Sequence, residues 1–167
     1  MDRPVDIIQQ PTSLGHPLPP PGGADRYARI DWEKLWLATQ RRPWRTLALV
    51  PAGCSVPPDF TLTIAASLVR TGMVHLGVPI RIADGTRVSL AQLMEFMSEV
   101  GAVINSGDMV MIALGPVKEN PTTVSLAQAA DHALLCVPLN RVSIAETKHT
   151  LQEIGREHFV GGAAFQL

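Results

Sequence analysis

Residues 46–72, which read TLALVPAGCSVPPDFTLTIAASLVRTG, decide the fold. Residues 46–51 form a short apolar run followed by alanine and glycine, a pattern typical of a buried strand. Over 60–71 the apolar side chains recur every three or four residues, which predicts a helix with Asp59 as its N-cap and Gly72 at its end. A strand, a loop and a helix therefore follow one another in this stretch.

The same alternation continues along the rest of the chain. Further strands are predicted at 78–83, 109–114, 133–139 and 159–165, and helices at 27–40, 89–100, 122–130 and 143–157. Ser143 and Glu146 have the spacing of a capping box at the start of the last helix. Parallel strands need crossover connections, and each crossover helix buries one face of the sheet. The sequence therefore predicts an α/β fold, a doubly wound, mostly parallel sheet of five strands with helices on both faces.

Four loops follow the predicted strands at the edge where doubly wound folds bind their ligands, outside the carboxyl ends of the strands. These loops are 52–59, 84–89, 115–121 and 140–143. We expect any ligand site of this domain to be built from them.

The first 25 residues differ in composition from the rest of the chain. Six of the 14 prolines fall within residues 1–23, and no helical or strand periodicity is visible there. This composition predicts a flexible or polyproline II-like arm over 1–25, which serves either as a spacer or as a docking peptide. Residues 26–167 then form a single α/β domain, long enough to bury a core of its own.

Charge and hydropathy exclude several classes of protein. The chain has 14 Lys and Arg against 15 Asp and Glu, a formal net charge of −1, so no overall basic surplus points to nucleic acid or anionic lipid. Its longest apolar runs are far shorter than the ~20 residues that cross a bilayer, which predicts no membrane span. Two separated cysteines, Cys54 and Cys136, match no disulfide framework, and the five histidines lack zinc-site spacing. With no signal peptide in the sequence, these features predict a cytoplasmic protein without a metal site.

The loop 52–59 lies where a nucleotide-binding α/β domain would cradle phosphate. A functional P-loop reads GxxxxGK[ST], because backbone N–H groups and the lysine hold phosphate and the hydroxyl binds Mg²⁺. Two prolines here carry no N–H, and an aspartate stands where phosphate would dock. At an effective dielectric of ~20, a carboxylate about 4 Å from one phosphate charge is repelled by roughly 4 kcal/mol. The sequence therefore predicts a degenerate loop, composed of Gly53, Cys54, Ser55, Val56, Pro57, Pro58 and Asp59.

Cys54 is also a candidate nucleophile. It precedes a predicted helix, whose dipole would favour the thiolate form. No base can be assigned to it from the sequence, so no catalytic role is predicted for this thiol.

In their order, these segments resemble the cytoplasmic bacterial tyrosine kinases of capsule and exopolysaccharide systems, and more distantly the ParA/MinD class of P-loop ATPases. Residues 51–53 match the turn before the family's P-loop, and 64–72 match the small-residue helix after it. Residues 109–116 stand in the place of a strand that ends in Asp-x-Pro-Pro, and 126–137 resemble the following helix, Ala-Asp turn and strand. The resemblance covers about residues 30–165 and implies a P-loop-like fold.

The residues that would carry the family's chemistry are missing from their positions. The P-loop lysine and hydroxyl are absent, and Ala113 or Leu114 stands where an acidic residue would hold Mg²⁺. Asp84 stands where the family keeps an aspartate at the end of its second strand and is interpreted as a relic of the site. The tyrosine-rich tail is absent too, since Tyr27 is the one tyrosine of the chain. These departures favour a pseudo-enzyme, with no catalytic residue and no cofactor, over an enzyme.

The resemblance implies a non-catalytic scaffold or regulator in bacterial exopolysaccharide synthesis or export. Its partner would be a membrane chain-length or polymerisation protein that recruits the domain to the inner membrane. The family also implies homo-oligomers, but its Glu/Arg-spaced oligomerisation motif is absent from residues 31–40. Two alternatives stay open. One is an active tyrosine kinase or ATPase with an atypical loop, and the other is a ParA/MinD-like positioning adaptor.

The predicted helix at 27–40 offers a candidate partner surface. Trp32 and Trp36 are four residues apart and share one helical face, close to Tyr27 and the proline-rich arm. Two interpretations follow from this placement. Either the indoles pack against the domain, or Trp32, Trp36 and Tyr27 form a stripe that faces a partner.

Overall fold

A six-stranded sheet runs through the centre of the protein. The computed structural model describes residues 7–8 and 23–166, with side chains for residues 31–166. The strands are β1 (Ile7–Ile8), β2 (Thr46–Pro51), β3 (Ile80–Gly85), β4 (Met109–Leu114), β5 (His132–Pro138) and β6 (Phe159–Phe165). They lie in the order β1-β3-β4-β2-β5-β6. The strands from β2 to β6 are all parallel, which confirms the predicted doubly wound sheet of five parallel strands.

The short strand β1 was not predicted from the sequence. Ile7 and Ile8 pair antiparallel with Ala83 and Ile82 of β3, inside the segment predicted to be a flexible arm. Two residues are too few for a period of alternation, so the pattern could not reveal them. The rest of the predicted arm up to residue 22 lies outside the described residues.

Five α-helices connect the strands. They are α1 (Gly23–Thr39), α2 (Phe60–Leu76), α3 (Leu93–Asn105), α4 (Thr122–Ala129) and α5 (Ile144–Ile154). Helix α1 begins before the predicted start at Tyr27 and extends into the predicted arm. Among the described residues, no helix combines the length and the apolar character that crossing a membrane requires.

The core has two layers, one on each face of the sheet, as predicted. Successive side chains of a strand point to opposite faces. Leu47 and Leu49 of β2 therefore pack against α1 and α2, whereas Ala48 and Val50 pack against α3, α4 and α5. All four side chains are fully buried, which explains why β2 is apolar after Thr46 instead of alternating.

Helix α2 passes through Gly72, so the prediction that it ends there was wrong. The helix continues to Leu76, and Gly77 in the left-handed conformation (φ 63°) is the C-cap. Gly72 lies directly under the indole of Trp36, and a Cβ at this position would clash with the six-membered ring. Glycine is therefore present because two helices approach closely, and its position does not mark a helix end.

The capping box of α5 is confirmed. Glu146 N–H donates to Ser143 Oγ at 3.2 Å, and Ser143 N–H donates to a Glu146 carboxylate oxygen at 2.9 Å. At the start of α2, by contrast, Asp59 occupies the N-cap position but its side chain makes no capping bond. Helix α5 ends at Ile154, before the predicted end, and a 3₁₀ turn over Arg156–His158 leads into β6.

Hydrogen bonds of Asp131 link the amino-terminal ends of β2 and β5. One of its carboxylate oxygens accepts from the backbone N–H of Arg45 at 2.7 Å and of Thr46 at 2.9 Å. Thr46 Oγ1 accepts in return from the N–H of Asp131 at 2.8 Å. Partial desolvation raises the pKa of Asp131, but these hydrogen bonds outweigh it and lower the pKa below its ordinary value.

Candidate functional site

An open pocket lies at the carboxyl ends of β2, β3 and β4. Its volume is about 440 Å³, and it is formed by the beginning of α2 and by parts of three of the four predicted loops. The fourth loop, 140–143, lies outside it. The pocket is therefore where the topology of a doubly wound sheet places a ligand site.

The pocket has both apolar and polar lining residues. Proline and aliphatic side chains form the apolar part, together with the buried ring of Phe60. Arg87 and Glu119, of opposite charge, both lie on the rim with exposed side chains. The other polar lining residues are Thr61, Thr86, Ser89 and Asn120.

Buried threonine hydroxyls hold the loops around the pocket. Thr61 Oγ1 at the start of α2 donates to the carbonyl of Leu114 at 2.8 Å. Thr122 Oγ1 donates to the carbonyl of Val88 at 2.7 Å, and so ties α4 to the loop after β3. These bonds join the starts of α2 and α4 to the end of β4 and to the loop after β3, so the protein's own groups hold the pocket lining in place.

The first part of the loop 52–59 lies beside α5, whereas Val56, Pro57 and Pro58 line the pocket. Gly53 has a φ of 75°, and a Cβ there would come within 2.6 Å of Val142. Ala52 N–H donates to the carbonyl of Cys136 at 2.8 Å, which holds the beginning of the loop on β5. Val56 N–H is also taken, because it donates to the carbonyl of Cys54 at 2.9 Å.

The residues before α2 do not fit a bound phosphate. Pro57 and Pro58 have no N–H, and Phe60 N–H donates to the carbonyl of Pro57 at 3.1 Å. Asp59 is exposed at the same helix end. Phosphate binding at a helix N-terminus needs free N–H donors and no competing negative charge. This helix end offers a carboxylate instead.

The strand ends do not supply a magnesium shell either. Ala113 and Leu114 at the end of β4 are fully buried and carry no ligating atom. Asp84 accepts from the N–H of Thr86 at 3.0 Å and from its hydroxyl at 2.6 Å, which closes the turn after β3. Asp84 does not line the pocket. In the described part of the chain, no group of three His, Cys, Asp or Glu side chains is placed to hold a metal ion.

Cys54 lies apart from the pocket, in a narrow crevice beside α5. Glu146, His149 and Lys118 line the same crevice. Backbone and side-chain hydrogen bonds with Ser143, with a smaller contribution from Lys118, lower the pKa of Glu146. Helix α2 begins at Phe60, as predicted, and Cys54 lies in the loop before it.

Trp32 and Trp36 do not form the exposed, partner-facing stripe that one interpretation of α1 predicts. Trp36 is 1% exposed and packs edge-to-face on Trp44 with ring centroids 5.9 Å apart, so it belongs to the core. Trp32 is half-buried and lies 5.9 Å from Phe165, at the end of β6. The side chain of Tyr27 lies outside the described residues. The interpretation that the indoles pack against the domain is therefore the correct one for Trp36.

Sequence reasoning identified the loops of the pocket but not the side chains that converge there. Thr61, Arg87, Glu119 and Asn120 are ordinary residues in their local segments. They meet only because β3 and β4 lie on the same side of β2 in the sheet order. One sequence feature could have pointed to this region. Thr61, Thr122 and Thr123 stand at the starts of two predicted helices, and in the structure all three are buried.

Comparison with known proteins adds no family to this geometry. Neither the models of protein families nor the curated protein sequences contain a match to the chain. The resemblance to bacterial tyrosine kinases and ParA/MinD ATPases therefore stays a prediction. What is established is an α/β domain with an open pocket at the carboxyl edge of its parallel sheet.

Proposed function

We propose that this chain is a non-catalytic, P-loop-like domain that acts in the cytoplasm as a scaffold or regulator of bacterial exopolysaccharide synthesis or export. The observation that supports a non-catalytic role is the set of residues at the N-terminal end of α2. There, Pro57 and Pro58 lack N–H donors, Phe60 N–H is already bonded and Asp59 is exposed. The pathway and the partner, a membrane chain-length or polymerisation protein that recruits the domain to the inner membrane, come from the resemblance of the segments.

Isothermal titration calorimetry with ATP and ADP, each with and without Mg²⁺, tests the first part of this proposal. We expect no saturable heat, because the Asp59 carboxylate repels phosphate and two prolines remove N–H donors from the loop before the helix. An Asp59→Asn variant should give the same result, since removing the charge restores neither the lysine nor the missing N–H groups. Saturable, Mg²⁺-dependent binding in the micromolar range would instead favour an active enzyme with an atypical loop.

The surface that we assign to the partner is the apolar rim next to the pocket. Leu90 is exposed, and Met94, four residues later at the start of α3, is 79% exposed. Both follow Val88 and Ser89, which line the pocket, so the apolar rim and the pocket are continuous. Large exposed side chains beside a concave site are typical of protein interaction surfaces.

Co-purification with a membrane chain-length protein of an exopolysaccharide system tests this assignment. The variant Leu90→Ser/Met94→Ser should lose most of the recovered partner, because two anchors of the contact are removed. Ile144→Ser is the matched control, since Ile144 is equally exposed but lies at the start of α5. Unchanged recovery with the double variant, or an equal loss with the control, would refute the assignment. Far-UV circular dichroism establishes that both variants are folded.

A further inference from the structure

The outer surface of the α1/α2 layer combines exposed aliphatic and cationic side chains. On α1 and the turn after it, Lys34, Leu37 and Arg41 follow one another at spacings of three and four residues, and all three are exposed. On α2, Arg70 and Val74 are four residues apart and exposed in the same way. We call this surface the α1/α2 patch, which comprises Lys34, Leu37, Arg41, Arg42, Arg70, Val74, Leu76 and Val78.

The topology brings the two parts of the α1/α2 patch together. Helix α1 leads into the start of β2 and α2 leads into the start of β3, and these strands are parallel members of one sheet. Both helices therefore end at the same edge of the domain. The contact of Trp36 with Gly72 brings their last turns side by side. Four cations and four aliphatic side chains thus share one corner of the molecule.

The aliphatic side chains of the patch are unusually accessible. Val74 is 78% exposed and Leu37 is 63% exposed, and Leu76 and Val78 are also exposed. No residue of the patch lines either of the two pockets described above, and the patch consists of exposed side chains on two helices and the turns after them. Such a surface does not enclose a peptide or a small molecule, but it can lie on a flat apolar layer.

The cations of the patch outnumber the acidic residues of the same helices, since the described side chains of α1 include Asp31 and Glu33 and α2 has no acidic residue. In the part of the chain that the structure describes, the ion pairs involve Arg81, His149 and His158 instead of Lys34, Arg41, Arg42 or Arg70. Arg45, close by in sequence, is engaged elsewhere, since its guanidinium donates to the carbonyls of Ile104 and Asp108. A net charge of −1 for the whole chain therefore hides a locally positive corner.

We infer that the α1/α2 patch binds the surface of an anionic phospholipid bilayer. The aliphatic side chains would enter the boundary between headgroups and acyl chains, while the arginines and the lysine contact lipid phosphates. A cation near an anionic leaflet contributes about 1 kcal/mol to binding. Neither the cations nor the aliphatic side chains therefore suffice alone, and the two groups act together. This inference goes beyond the proposed function and does not depend on the nucleotide question or on a protein partner.

Sedimentation of the full chain with vesicles tests the inference. One vesicle preparation contains phosphatidylglycerol and phosphatidylcholine, and the other contains phosphatidylcholine alone. We expect binding to the anionic vesicles only, with an affinity that falls as salt rises. Arg41→Gln/Arg42→Gln/Arg70→Gln should lower the partition coefficient on the order of 100-fold, about fivefold for each cation. Leu37→Gln/Val74→Gln keeps the charge and should lower it about tenfold.

The matched control changes the same number of charges on another part of the surface. Arg141, Lys148 and Arg156 are exposed at or beside α5 and lie outside the patch. Arg141→Gln/Lys148→Gln/Arg156→Gln should bind like the unmodified protein. The inference is overturned if the unmodified chain ignores anionic vesicles, if it binds neutral vesicles equally, or if the control loses as much binding as the arginine variant. None of these outcomes alters the nucleotide titration, so the two proposals fail separately.

Discussion

At the scale of single residues, Gly72 controls how closely α1 approaches α2. Its missing side chain makes room for the indole of Trp36, which in turn packs on Trp44. The layer of helices on this face of the sheet is therefore anchored by a large aromatic side chain placed on a helical glycine. A change of one methyl group at this contact is expected to disturb the whole layer.

Gly72→Ala should destabilise the protein. The added Cβ would overlap with Trp36, and overpacking of this kind costs about 1–3 kcal/mol, more than the ~1 kcal/mol gained from helix propensity. Gly101→Ala in α3 is the matched control, because a Cβ there meets no atom within 4 Å and the substitution should stabilise the protein by up to about 1 kcal/mol. Urea unfolding measures both changes. Equal stabilisation by the two substitutions would contradict the packing described here.

Asp131 is expected to make stability depend on pH. Its pKa is lowered in the folded protein, so its contribution is complete above the unfolded value of about 3.9 and is lost as the pH falls through the folded value. Because the carboxylate is exposed, we expect Asp131→Asn to cost only about 1 kcal/mol at neutral pH. Unfolding by urea at neutral pH and near pH 3 should show this difference shrinking in acid. A constant difference would mean that the carboxylate charge does not matter.

At the scale of helices and strands, the boundaries of an element were predicted correctly where the residues that end it lie within the segment itself. The strands Thr46–Pro51, Met109–Leu114 and Phe159–Phe165 have the predicted boundaries. Helix α2 overran its predicted end because the role of Gly72 depends on Trp36, a residue far away in sequence. The candidate site was likewise predictable only in part. Its loops were predictable from strand alternation, but the residues that meet there depend on the strand order, which alternation does not determine.

The capping box of α5 provides a test at this scale. Ser143→Ala removes the side chain that accepts from Glu146 N–H and should cost about 1 kcal/mol of stability. Ser125→Ala, at an exposed position inside α4, is the control and should be neutral or slightly stabilising. Thermal or urea unfolding distinguishes the two variants. If both are neutral, the capping bonds do not contribute to the stability of the domain.

At the scale of the whole molecule, the two cysteine thiols are expected to become reactive under different conditions, one in the native protein and one on unfolding. Cys136 is fully buried in the core, and burial raises the pKa of its thiol, whereas Cys54 is half-buried in the loop after β2. With a chromogenic disulfide reagent, we expect one thiol to react in the native protein and the second only on global unfolding. Cys54→Ser should abolish the first phase. Rapid reaction of both thiols in the native state would contradict the packing of β5.

The two edges of the sheet are unequal, and this limits how the protein can aggregate. Among the described residues, one edge ends in the two-residue β1, too short to template another strand, whereas the other ends in the seven-residue β6, which has neither charge nor proline. Strand addition between copies is therefore confined to the β6 side. Two copies joined there would leave only blunt ends outward, so growth would stop at a pair and could not propagate into a fibre.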